Sequence, residues 1–163
     1  MAGTAPERRQ LILALEEAFR ARAWHGTNLL GSIRGLEPAT AAWRPRPGRH
    51  NIWEIIVHAA YWKYAVTRRI TGGPRGGFAL DGSNWIKRPV EDTENALADD
   101  IALLKRSHEE LLQVAKDLPG SKLRSPPSGT QFTTAAMLRG IAAHDVYHAG
   151  QIQLLKRLRT RSR

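Results

Sequence analysis

Apolar residues recur along this chain at helical spacing in four long segments. Over residues 5–23, Leu11, Leu15, Ala18 and Phe19 share one face, and Thr4 with Glu7 three residues later reads as a capping box. After the turn-rich RPRPGRH, a second stripe of Ile52, Ile55, Ile56, Ala59, Trp62 and Val66 follows a second capping pattern, Asn51 with Glu54. Two glycines and a proline at 72–74 end it. A third helix is predicted over 93–118, stopped by Pro119 and Gly120, and a fourth over 134–158. The segment TNLLGSIRGL adds a short helix before Pro38. Residues 72–90 and the stretch SKLRSPPSGTQF read as loops, and no segment alternates as a strand would. The pattern predicts an all-α fold: a four-helix bundle with a short extra helix after the first long one.

At 163 residues, with 42% hydrophobic and 25% charged, the chain is expected to form one domain over 1–158, followed by a basic tail, 159–163. No apolar run is long enough for a bilayer, and charge interrupts the apolar positions near the N-terminus, so a cytoplasmic protein is expected. The absence of cysteine removes disulfides, thiolate ligands and a cysteine nucleophile. A net charge of +10 invites a nucleic-acid reading. Much of it, however, lies in Lys156, Arg157, Arg159, Arg161 and Arg163, where cations also suit a helix C-terminus. Nucleic acid is therefore not expected as the main partner.

The fourth helix carries the candidate chemistry. Met137, Ile141, His144, His148, Ile152 and Leu155 form one ladder, placing two imidazoles four residues apart on a core-facing stripe. His58 lies at the edge of the second helix's stripe. Bundle cores build metal sites from side chains that converge from facing helices. Three imidazoles around one divalent ion, with positions left for water, would suit catalysis. Neutral, hydrogen-bonded core histidines would give the same spacing, and spacing leaves both readings open.

The segments HNIWEIIVHAAYW (50–62) and HDVYHAGQIQLLK (144–156), with WHGTNLL and AAWRPRPG, resemble the DinB/YfiT-like family of metal-binding four-helix bundles. That resemblance implies a divalent metal, zinc or nickel, bound by His58, His144 and His148. It also implies a metal-dependent transferase using a low-molecular-weight thiol, or a hydrolase, acting on a small-molecule substrate. A non-catalytic, stress-related metal-binding protein and a weak nucleic-acid binder acting through the C-terminus are the alternatives, and a homodimer is compatible with the sequence. No catalytic residue is assigned.

Around this site, His25, Trp62, Tyr147 and Gln151 are candidates for a pocket or for support of the ligands, and Tyr61 and Trp85 could join them. Glu54 could orient His58, but its place in a capping box competes with that role. Asp145 is expected to point away from the site, His50 to serve its loop, and His108, among charged neighbours in KRSHEELL, to be exposed.

Overall fold

The computed structural model describes residues 4–161 and is all-helical among them. Four long helices carry the fold: α1 (Thr4–Phe19), α4 (Ile52–Thr71), α5 (Glu94–Asp117) and α7 (Thr134–Arg161). Three single-turn helices lie between them: α2 (Leu29–Ser32), α3 (Pro38–Ala41) and α6 (Gly120–Leu123). α1 packs on α5 and α7, and α4 packs on the same two helices, which closes a four-helix ring with α4 and α7 as neighbours. α2 lies against α7 and is the extra helix expected after the first. α3 and α6 were not foreseen, because a single turn is too short to show a period.

Local chemistry accounts for the helix ends. The capping box at the start of α4 is complete: the Glu54 backbone N–H donates to the Asn51 side chain, and the Asn51 N–H to the Glu54 carboxylate. Gly72, at φ 75°, closes α4 in the left-handed conformation that lacks a Cβ penalty only for glycine. Thr93 caps α5 by accepting from the Ala96 N–H, and α5 ends at Leu118 just before Pro119. The expected Thr4 cap rests on a side chain outside the described residues.

Two boundaries differ from expectation. α1 ends at Phe19, short of residue 23, and α7 runs on through Arg161. Lys156 donates to the Ser32 carbonyl at 3.1 Å and Arg159 to the Thr40 hydroxyl, so the basic end is tied to the segment around α2 and α3 as far as Arg159. Residues 162 and 163 of the expected tail lie outside the described ones. No helix among the described residues is long and apolar enough to cross a membrane.

The core has two parts. Phe19, Trp53, Ile56 and Leu104 belong to one, and Leu15, Leu111, Leu123 and Leu138 to the other. His108 corrects an expectation: it is fully buried, stacked on Phe19 with ring centroids 3.7 Å apart. Its position, four residues before the core residue Leu112 and four after Leu104, puts it on the inner face of α5 despite its charged sequence neighbours. Neither ring nitrogen has a hydrogen-bond partner. Burial, with Lys63, Arg20 and Lys116 nearby, lowers its pKa to about 2 and keeps it neutral.

A second buried polar feature joins α4 to α7. The Lys63 ammonium donates to the Asp145 carboxylate, with both side chains at zero exposure. Burial pushes Lys63 down and Asp145 up, while the partner's charge and hydrogen bond oppose each shift. Asp145 does point away from the histidine stripe, as expected, but into the bundle and not into solvent.

Candidate metal centre

The three histidines come together where α4 and α7 face each other. His58 Nε2 lies 3.1 Å from His144 Nε2, and His148 Nε2 lies 3.0 Å from the same atom. The i,i+4 spacing stacks His144 and His148 along α7, and α4 brings His58 from 86 residues away. One ring nitrogen from each lies within 4.8 Å of the others, a group that could hold a metal ion.

The outer nitrogens decide where the protons sit. His58 Nδ1 is 3.0 Å from the Asn84 backbone oxygen, which can only accept, so Nδ1 carries the proton and Nε2 presents a lone pair. His148 Nδ1 likewise donates to Gln151 Oε1 at 2.7 Å, and Gln151 in turn donates to the Tyr147 hydroxyl at 2.9 Å. Two lone pairs therefore point at His144 Nε2, which as a donor could satisfy only one. A divalent cation could accept all three. Such oriented imidazoles, each fixed through its other nitrogen, match the way metal-binding histidines are held. His144 differs, since its Nδ1 is buried without a partner.

Electrostatics favour the neutral ligands a metal requires. Burial lowers His144 to about 3, with His148, His58 and Lys63 adding to the effect. Burial lowers His148 to about 4 against the opposing hydrogen bond to Gln151, and it lowers His58 against the opposing bond to Asn84. Near neutral pH the triad is uncharged, so a cation meets no positive charge from its ligands.

The loop between α4 and α5 completes the surroundings. Asn84 adopts φ 58°, a conformation its short amide side chain tolerates better than most residues do. From there its carbonyl accepts from His58 and its side-chain oxygen from Trp62 Nε1 at 2.9 Å. Trp85 lies flat between two imidazoles, 3.8 Å from His58 and 3.6 Å from His50. The loop is pinned beyond these residues: Arg88 donates to Asp100 of α5 at 2.7 Å, and its carbonyl accepts from Asn51 at 2.8 Å. Asp100 also accepts from Trp53 Nε1 at 2.7 Å, tying α4, α5 and the loop at one carboxylate.

Glu54 keeps to the cap and does not orient His58. Burial would raise its pKa, but the two-pronged contact with Arg44 at 2.6 and 2.8 Å, together with His50, holds it below the usual range. His50 serves both loop and site: it pairs with Glu54 at 3.1 Å and covers the outer face of Trp85. Trp62, Tyr147 and Gln151 all lie beside the triad or its supporting bonds, whereas His25 is exposed on the turn after α1 and makes no bond or ring contact to the three histidines. Asn84 was missed by sequence reasoning, and the only hint was the turn-forming DGSN in a long loop.

The sequence matches the family model of the DinB superfamily over residues 21–152. No curated protein and no solved structure matches the chain. The matched range takes in α4, α5 and the histidine-bearing part of α7, and begins after α1. With all three histidines inside a match that spans most of its length, the chain belongs to the DinB superfamily.

Proposed function

We propose that His58, His144 and His148 bind one divalent transition metal, zinc or nickel, and that the protein is a metal-dependent transferase of small thiols or a hydrolase. The observation that carries this reading is the convergence of three ring nitrogens within 3.0–3.1 Å contacts, two of them forced to present lone pairs. Imidazole nitrogen suits both metals, and the donor set includes no carboxylate or thiolate. A cation held by three neutral ligands keeps its full charge and supplies Lewis acidity that makes a thiol or water nucleophilic near neutral pH.

The chain's own residues would orient and shield. Asn84 and Gln151 fix the rings of His58 and His148, and Trp85 excludes water from one face of His58. His144 is half-buried between the buried His58 and His148, and the exposed Trp85 and Tyr147 lie beside the triad. A metal position that substrate can reach there would favour turnover over a closed structural site. Since the chain has no cysteine, any thiol comes from a cosubstrate.

Elemental analysis of tag-free protein beside His58→Ala and His148→Ala variants, each shown folded by circular dichroism, tests the metal. About one ion per chain, lost in both variants, is the expected result. A wild-type protein that takes up neither zinc nor nickel above about pH 7 sinks the reading. Thiol-transfer and ester-hydrolysis assays on loaded protein then decide the reaction, and inactivity in both would leave a metal-binding protein without turnover.

A further inference from the structure

A groove of about 440 Å³ lies beside the triad; none of the three histidines lines it, but two of its lining residues touch them. One is Trp85, stacked between His50, which also lines the groove, and the His58 ring; the other is Gln151, which holds His148. α4 and α7 give it an apolar lining of Ile55, Leu154 and Leu155, and Leu154 is 57% exposed. The volume lies in the range of small-molecule sites and is too small for a folded partner.

The segment before α4 contributes Arg46 and Arg49. Both are exposed and neither has an ion-pair partner among the described residues, in contrast to the nearby Arg44, which Glu54 occupies. No carboxylate lines the groove. The arginines sit on a stiff turn: Pro45 and Pro47 flank Arg46, Gly48 turns at φ 76°, and the Arg49 carbonyl accepts from Arg44 at 2.6 Å. A pair of guanidiniums without ion-pair partners beside an apolar wall is complementary to an amphipathic anion. Two guanidiniums present planar, parallel N–H donors that match a carboxylate, and the apolar wall of Ile55, Leu154 and Leu155 suits a hydrocarbon body attached to it.

We infer that this groove binds the substrate of the adjoining centre, and that this substrate is a small molecule with an apolar body and a carboxylate recognised by Arg46 and Arg49. As a statement about substrate it rests on the proposed metal function, but the binding itself is measurable apart from it. A second copy of the chain is a poorer occupant, because a net charge of +10 and an arginine rim would face their own image.

The test titrates 4-phenylbutyrate and the uncharged 4-phenylbutanol into zinc-treated protein at about 150 mM salt, followed by calorimetry. Saturable one-site binding of the carboxylate is expected, at least about tenfold tighter than the alcohol. The double variant Arg46→Gln/Arg49→Gln, altered only at exposed positions, should bring the two ligands within about twofold. Leu154→Ser should weaken both alike. His148→Ala, which the proposed function makes metal-free, should keep the carboxylate preference, so that groove and metal fail separately. Equal affinities, no saturation, or indifference to the arginine substitutions would overturn the inference. So would binding that disappears in His148→Ala, since the carboxylate would then be a metal ligand. A dimer by sedimentation that excludes the ligand would likewise assign the groove to a second copy.

Discussion

The imidazole of His58 is aimed by the backbone of Asn84: Nδ1 lies 3.0 Å from the Asn84 carbonyl oxygen, and Asn84 holds a left-handed φ of 58°. The direction in which His58 presents Nε2 to His144 is thus set by a loop residue 26 positions later. That dependence makes the loop conformation part of the site's chemistry.

Replacing Asn84 with alanine removes the Trp62 bond and places a residue less tolerant of positive φ at this turn. Metal affinity should fall by about 10–100-fold, the usual consequence of losing a group that orients a ligand. Asn84→Gly loses the same side-chain bond but tolerates the φ, and should fall between alanine and wild type. Competition with a chromogenic chelator measures all three, and equal affinities would show that the carbonyl is positioned by the rest of the loop.

Gln151→Leu removes the acceptor on His148 Nδ1 while keeping an apolar body of similar length. The buried donor then lacks a partner, and the ring loses its preference for presenting Nε2. Zinc affinity should fall about tenfold or more, with little change in helix content by circular dichroism.

The Lys63–Asp145 pair predicts a nonadditive pair of substitutions. Lys63→Met leaves a carboxylate buried without its cation and should cost about 3–5 kcal/mol, read from urea unfolding. Lys63→Met combined with Asp145→Leu removes both charges and should recover most of that loss. If the double variant is no more stable than the single one, the pair is not an isolated electrostatic unit.

His108 predicts a pH dependence of stability. Its folded pKa of about 2 lies below the usual histidine value, so between the two the unfolded chain binds the proton and the native chain does not. Stability is therefore full above about pH 6.5 and falls as pH drops, by up to about 1.4 kcal/mol per unit from this residue. Lys63 from α4, Arg20 from α1 and Lys116 of α5 all oppose its protonation. His108→Leu should remove this part of the slope, so that the variant's stability varies less with pH in that window, and it should raise stability at pH 5 more than at pH 8. Urea midpoints at the two pH values decide this.

The four long helices, most of their ends and the stripe carrying His144 and His148 were legible in the chain, because periodicity and capping act over a few residues. Asn51, Glu54 and Gly72 perform the roles their local sequence indicates. His58 could be placed on its helix, but its 3.1 Å contact with His144 depends on which helices become neighbours, which no local rule states. The same limit hid Asn84, whose loop position is set by Arg88 and Asp100, and left Trp85 only a pocket candidate. His108 was misjudged from its charged neighbours, although its spacing from Leu104 and Leu112 already placed it on the inner face of α5, where it meets Phe19. Asp145 could be turned away from the histidine stripe by helical angle alone, yet a carboxylate's burial depends on the cation that meets it, and Lys63 comes from another helix. The sequence by itself determined which side chains share a face. The tertiary structure decided which faces meet, and therefore which polar atoms are paired, which are left with lone pairs directed inward, and where a cation could be held.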